Sequence, residues 1–338
     1  NALQWDGTER IRFCLHRFLG SDTDDYTYEA LKLFLLGAIS RAFKPGCKFE
    51  VMLCLVGGQG AGKSSFFRLL AVNDDWFSDD LKKLDDENVY RKMQGHWIIE
   101  MSEMIATANA KSIEEIKSFL SRQKETYKIP YETHPADRKR QCVFGGSSNT
   151  LDFLPLDRTG NRRFVPVMVY PERAEVHILA DEQASREYIN QMWAEAMEIY
   201  RSGNFRLRFS PAMNDYLKAH QKDFMPEDTK AGQILDYLER YSGSIVCSKQ
   251  LYKEALGHDY DEPKQWELRE INDIMNNAVT GWMAFSNPRY FPEPYRRQKG
   301  WERIRNDNEP DNSMDGFQEI PTEEMEQLGL PEEWLKQK

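Results

Sequence analysis

The sequence predicts an α/β fold organised around a phosphate-binding loop. Three observations carry that expectation. Val51–Val56 is an unbroken apolar run with the length and composition of a fully buried strand. Gly57–Ser64 follows with the spacing G-x-x-x-x-G-K-[ST]. Phe66, Phe67, Leu69 and Leu70 then open a helical pattern.

The residue types of the loop fit one chemistry. Its glycines permit backbone conformations that a side chain forbids. The loop N–H groups and the start of the following helix can then face an anion. Gly57, Gly58, Gln59, Gly60, Ala61, Gly62, Lys63, Ser64 and Ser65 form the candidate nucleotide-binding stretch. Lys63 can reach the β- and γ-phosphates, and Ser64 can ligate Mg²⁺. A bare glycine turn is the alternative. The succession of strand, loop, Lys-Ser pair and helix favours a nucleoside triphosphate, with ATP and Mg²⁺ as cofactors.

A chain of 338 residues is long enough for two or three domains and a sizeable core. It begins at Asn1, which reads as a fragment or a processed chain. Arg10, Arg12 and Arg17 break up the first apolar positions, so the start shows no signal-peptide pattern. No uncharged apolar run approaches a membrane span. Cys14, Cys47, Cys54, Cys142 and Cys247 are scattered without C-x-x-C spacing, which points to free thiols in a reducing compartment. The net charge of −10 is unevenly spread, because residues 306–338 hold ten acids and two lysines. The remainder is nearly neutral, so local basic clusters can still bind phosphates.

Taken in order, residues 1–50 form an N-terminal helical region. Arg10–Leu19 and Tyr28–Phe43 carry apolar positions at three- and four-residue spacing, with an acidic break at Asp22–Asp25. This region reads as a lead-in packed on the nucleotide domain, with a separate interaction module as the alternative. Residues 51–170 form the nucleotide-binding core. Within it, Asp74–Leu84 reads as a loop or short strand. Trp97, Ile98 and Ile99 then form a strand that ends in acids at Glu100 and Glu103. Phosphate-loop enzymes need a carboxylate near Mg²⁺ and a group that orients the attacking water. Glu100 and Glu103 are the candidates for both roles. On a strand they would face opposite sides, so either the chain turns after Glu100 or one carboxylate alone reaches the nucleotide.

Ser112–Leu120 reads as a helix, with Ser112 and Glu115 matching a capping box. Arg122–Arg140 holds six basic side chains against three acids, and Pro130 and Pro135 exclude a long helix. Cations and aromatics interleaved on a hairpin or extended loop suit single-stranded nucleic acid. Arg122, Lys124, Tyr127, Lys128, Tyr131, Arg138, Lys139 and Arg140 are the candidate DNA contacts; a solvated charged loop is the alternative. Gln141–Asn149 reads as another buried strand, and Asn149 can hydrogen-bond a γ-phosphate or simply form a turn. In Asp157–Val167 a turn at Thr159-Gly160-Asn161 leads into Arg162, Arg163 and an apolar strand. Either arginine could act as an arginine finger, and at least one is expected to pair with a carboxylate.

Residues 171–230 read as a helical extension and linker, with helices at Ala184–Arg201 and Ser210–Phe224, the second started by Ser210-Pro211. Residues 231–305 read as a small separate domain. Its pattern is helices at Gln233–Tyr241, Lys249–Leu256 and Trp266–Val279, then strands at Trp282–Phe285 and Trp301–Ile304. Between those strands lies a basic stretch with Arg289, Arg296, Arg297 and Lys299. Three helices followed by a basic hairpin is the order of a winged helix that binds DNA. Residues 306–338 read as an acidic tail without a packed core.

Several motifs together resemble one family. They are GGQGAGKSS (Gly57–Ser65), WIIEMSEM (Trp97–Met104), IKSFLSRQKETYKIPYE (Ile116–Glu132), RQCVFGGSSN (Arg140–Asn149), DRTGNRRFVPV (Asp157–Val167) and QMWAEA (Gln191–Ala196). They occur in the order found in the virulence-associated protein E family of phage, prophage and phage-satellite proteins. The likeness covers about residues 10–200 and weakens beyond 230. The family is similar to superfamily 3 helicases, so the resemblance implies an AAA+-like ATPase core and a ring, expected to be a hexamer. It implies that Lys63 and Ser64 hold nucleotide and Mg²⁺. Glu100 and Glu103 would form the second acidic motif, and Asn149 the polar sensor. Arg162 and Arg163 would be the finger given to a neighbouring subunit. Arg122–Arg140 would be the hairpin that grips single-stranded DNA in a central channel. The implied setting is the bacterial cytoplasm, in replication of a phage or mobile element. The expected partners are single-stranded and forked DNA, further copies of the chain and a primase-polymerase, with no membrane.

The leading expectation is therefore an ATP-driven DNA helicase. A DNA-binding origin-recognition or helicase-loading ATPase without unwinding activity is the second reading. An ATPase acting on protein is the third.

Overall fold

The computed structural model describes residues 3–81, 84, 89–102, 110–128, 134–156 and 161–304. The chain divides into two compact units, Asn1–Thr229 and Lys230–Lys338.

The first unit runs α1 (Ile11–Leu19), α2 (Asp25–Phe43), β1 (Met52–Val56), α3 (Lys63–Leu70), β2 (Phe77–Ser78), α4 (Val89–Lys92), β3 (Ile98–Ser102) and α5 (Ala110–Ser121). It continues through β4 (Lys124–Tyr127), β5 (Ala136–Lys139), β6 (Val143–Ser148), β7 (Phe164–Met168), α6 (Glu182–Ser202) and α7 (Pro211–His220). Five strands make a parallel sheet in the order β2-β3-β6-β1-β7. Its two faces explain the apolar run of β1. Leu53 and Leu55 pack in a core shared with α1, α2, α3 and α6. Met52, Cys54 and Val56 pack on the other face against Ile113, Ile116 and Phe119 of α5. A parallel strand covered on both faces has no solvent side and therefore no polar alternation.

The acidic segment before α2 is the start of that helix rather than a spacer. Asp24 is its N-cap and accepts a hydrogen bond from the Thr27 backbone N–H at 2.8 Å. Both N-terminal helices share the core of the sheet. Asp181 and Ser210 cap α6 and α7 in the same way. The helix expected from Ser112 begins at Ala110 instead. Ser112 thus lies inside the first turn and cannot be the cap, since an N-cap residue must lie outside the helical backbone.

The second unit runs α8 (Thr229–Arg240), β8 (Ile245–Cys247), α9 (Ser248–Gln250), α10 (Gln265–Asn277), β9 (Trp282–Ala284), β10 (Arg289–Phe291), β11 (Arg296–Gln298) and β12 (Gly300–Arg303). A π-helical turn, Leu251–Ala255, continues α9. Strands β8, β12 and β9 form an antiparallel sheet, and β10 and β11 form a separate hairpin. The unit has its own core, in which Ile234, Val246, Leu251, Ile274 and Trp301 meet. Strand β8 is too short, at three residues, for an alternation signal. The acidic tail at 306–338 lies outside the described residues. Among the described residues no helix is long and apolar enough to cross a membrane.

Candidate functional site

The site forms at the carboxyl ends of the parallel strands. Val56 at the end of β1 is in register with Ser148 of β6, and Ser102 at the end of β3 with Ser147. The loop after β1 therefore lies beside Ser102, Ser147 and Asn149. Ligands of open parallel sheets bind at this edge, because loops there diverge and leave a crevice.

Within the loop, Gly60 and Gly62 have φ of 82° and 81°, a region that L side chains rarely adopt. Gly62 is the N-cap of α3 and offers no side chain to the first turn, so the helix N-terminus is open to an anion. The cleft has a volume of about 390 Å³ and is lined from Gln59 through Ser65, with Ser102, Ser147, Asn149, His177 and Leu179 opposite.

Lys63 is almost fully buried. Its Nζ donates to the carbonyl oxygens of Gly57 and Gly58 at 2.7 and 2.8 Å, and to Asn149 Oδ1 at 3.0 Å. The expected cation and the expected polar sensor thus meet in one hydrogen-bond set. Ser64 Oγ donates to Glu100 Oε1 at 2.8 Å, and Ser147 Oγ donates to the same oxygen at 2.5 Å. Glu100 is fully buried on β3, and its Oε2 has no hydrogen-bond partner among the described residues. Burial raises its pKa; the bonds from Ser147 and Ser64 oppose that, Asp79 adds to it and Lys63 opposes it. A buried carboxylate oxygen without a donor, next to a serine hydroxyl, fits a hard divalent cation, which takes oxygen ligands. The residues present thus fit Mg²⁺ at Ser64 and Glu100, and a triphosphate at the loop. Glu103, the other expected carboxylate, lies outside the described residues. No group of three or more His, Cys, Asp or Glu suited to a metal occurs among the described residues.

The two arginines lie elsewhere. Arg163 immediately precedes β7, and its backbone oxygen accepts from Met52 N at the start of β1. That is the amino edge of the sheet, about 15 Å from the loop for a strand of this length. Both sit in a turn and both approach Glu50, so the expected pairing with a carboxylate involves each of them. Arg163 is held by Ser121 Oγ at 2.9 Å, whereas Arg162 has a 3.4 Å contact with Glu50 and a side chain 70% exposed. Within one subunit neither reaches the loop. The turn residues Thr159 and Gly160 lie outside the described residues.

Strands β4 and β5 pair antiparallel as a hairpin. Arg122, Lys124, Lys128 and Lys139 are exposed and Tyr127 and Arg138 half-buried. Arg140 is corrected as a DNA contact. It is 3% exposed, pairs with Glu125 and donates to the Phe119 carbonyl at 2.6 Å. Lys124 pairs with Asp137, and Arg138 lies over the Tyr127 ring. Tyr131 lies outside the described residues. In the second unit Arg296, Arg297 and Lys299 are exposed on or beside β11, Arg296 beside Glu293 at 3.3 Å.

Ser102, Ser147 and His177 escape sequence reasoning. The serines carry a weak signal, since each sits at the carboxyl end of a strand already marked by Glu100 or Asn149. His177 lies in an irregular segment before α6 and gives none.

Fold and site together define a mixed α/β protein with a parallel central sheet and a strand-loop-helix cleft at its carboxyl edge. The model of the virulence-associated protein E-like domain matches residues 1–226, and the chain belongs to that family. No curated protein matches the sequence. Among solved structures, the A form apo structure of the NrS-1 C terminal region is similar at 12% identity and a TM-score of 0.50, covering 88% of this chain and 76% of that one. An apo structure of NrS-1 C terminal region 305–718 is similar at 13% identity and 0.48, covering 88% and 75%.

Proposed function

We propose that this chain is an ATP-driven DNA translocase of the superfamily 3 helicase type, acting in replication of a phage or related mobile element. One observation carries the reading. Lys63 and Ser64, Glu100, and Asn149 come from three separated stretches of sequence and meet at one cleft. The strand order β2-β3-β6-β1-β7 supports an AAA+-like core, and family membership supports the phage setting.

In this reading the loop N–H groups and Lys63 bind and orient the β- and γ-phosphates. Ser64 and Glu100 hold Mg²⁺, which when bound neutralises charge on the phosphate oxygens. Asn149 positions the γ-phosphate or the attacking water, with Glu103 as candidate for orienting that water. Arg162 or Arg163 of a neighbouring subunit stabilises transition-state charge. The β4–β5 hairpin holds single-stranded DNA, and the second unit, read as a winged helix, holds duplex. The working form is a ring, hexameric by analogy, and a primase-polymerase is its expected partner in the bacterial cytoplasm.

A second reading is an origin-recognition or helicase-loading ATPase without unwinding. The ion pairing of Lys124 and Arg140 within the hairpin favours it, since those cations are already engaged. Strand displacement on a forked duplex with Mg²⁺-ATP separates the two. Unwinding supports the translocase. DNA-stimulated hydrolysis without displacement supports the second reading, and hydrolysis indifferent to DNA removes both.

A further inference from the structure

We infer that the first unit carries a second ligand site, a nucleotide-binding cleft at the amino edge of its sheet. This deepens the strand-holding role proposed above for the β4–β5 hairpin and rests on it, and it concerns the edge of the sheet opposite the phosphate loop. Trp97 and Cys142, which line the cleft, immediately precede β3 and β6. Those strands separate the two sites by about 15 Å. The cleft has a volume of about 820 Å³, a size that suits a small-molecule or nucleotide ligand.

Its walls are aromatic and cationic together. Tyr90 and Tyr127 stack with ring centroids 5.9 Å apart. Trp76 stands edge-on to Trp97 at 6.5 Å and is 46% exposed. Trp97 is fixed by donating to the Ala38 carbonyl at 3.0 Å. The partly solvated Trp76 ring is the face that can accept a base of any sequence.

The charge around the cleft is opposite to that of the whole chain. Arg138, Lys139 and Arg140 line it against Glu125 and Asp137, and Arg41 lies close to Arg140. Arg41 and Arg140 are 1% and 3% exposed. Glu125 pairs with Arg140, while Arg41 donates to the Phe49 carbonyl at 2.6 Å. Nε of both arginines and Nη1 of Arg41 have no hydrogen-bond partner among the described residues. Burial lowers the Arg41 pKa and the nearby Arg140 charge lowers it further, so two cations are held close. Buried cations short of counter-charge are costly. An anion bound at Lys139 and Arg138, which line the cleft beside Arg140, would offset that cost. A phosphate joined to a flat ring is a nucleotide, either free or as one unit of a single strand.

The test uses the full chain with Trp76→Ala and Lys139→Ala, both at exposed positions. Binding of fluorescein-labelled oligothymidylate is measured by anisotropy, and binding of dTMP by tryptophan fluorescence. Each substitution should weaken oligothymidylate binding by about 5- to 100-fold, the loss of one base–aromatic stack or its phosphate partner. If dTMP also binds saturably to the wild type and is weakened by both substitutions, the occupant is a free nucleotide. If the oligonucleotide alone is weakened, it is a unit of the strand. Either result supports the site. Unchanged affinity for both probes overturns it, as does loss of strand binding in Lys128→Ala with both cleft variants intact. Mg²⁺-ATP binding, measured alongside, reports the phosphate loop separately, so failure of one site is told from failure of the other.

Discussion

Glu100 sits where folding and metal binding make opposite demands. Its carboxylate is buried with one oxygen unpartnered, and burial raises its pKa. A carboxyl whose folded pKa exceeds its unfolded value destabilises the fold when ionised. That penalty is present above the raised pKa and is relieved as pH falls through it. Glu100→Gln should therefore melt higher than wild type at neutral pH without Mg²⁺, by about 2–4 °C for a gain of about 1 kcal/mol. The difference should shrink as pH falls towards the ordinary carboxylate range. The same substitution should weaken Mg²⁺-ATP binding, which in the wild type should also decline as Glu100 protonates. Calorimetric melting and nucleotide titration across pH check both. Ser147→Ala removes a donor that holds the same oxygen and should weaken Mg²⁺-ATP binding by roughly tenfold, for a hydrogen bond to a charged group. The loop residues were legible from sequence because their chemistry is local and its spacing fixed. Ser147 was not, because its role depends on the pairing of β3 with β6.

At the scale of elements, β6 and α3 hold the site together through one close approach. A Cβ at Gly145 would lie 2.4 Å from the Phe67 ring. Phe67 is fully buried on α3, with the Phe34 ring 6.2 Å away, so the ring has little room to yield. Gly145→Ala should cost about 1–3 kcal/mol, as overpacked cores do, read by urea denaturation. Nucleotide affinity should fall too, because Lys63 and Ser64 begin the same helix. Element types were readable where the apolar pattern was long, as in β1 and α6. The place of Arg162 and Arg163 was not readable, because it depends on β7 pairing with β1: the turn before β7 lies at the amino edge, where Glu50 contacts both.

At the scale of the molecule, the proposed function requires an assembly, because those arginines lie far from the loop of their own subunit. Arg162, more exposed than Arg163 and more weakly held, would be the better finger for a neighbour's site under that proposal. Arg162→Ala and Lys63→Ala proteins should each be inactive alone, by roughly 10³–10⁵ for the finger. Mixed, they should regain part of the activity, since some interfaces then combine an intact loop with an intact finger. Absence of rescue in proteins that fold and assemble removes Arg162 from the role. The second unit has its own core, so residues 231–305 alone should bind duplex DNA with affinity that falls steeply with salt. Salt-independent binding would move its basic hairpin to a protein-docking role. The basic stretch of that unit was legible in the sequence, whereas the contacts a finger would make were not, because they depend on surfaces of more than one copy.

In the proposed function Lys63, Ser64 and Glu100 form an ATP-hydrolysing site. Steady-state phosphate release from Mg²⁺-ATP, with and without single-stranded DNA, tests it most directly in wild type and Lys63→Ala. Hydrolysis in the wild type should be stimulated by DNA, and it should vanish in Lys63→Ala while the fold and melting profile persist. Wild-type turnover in Lys63→Ala would contradict it.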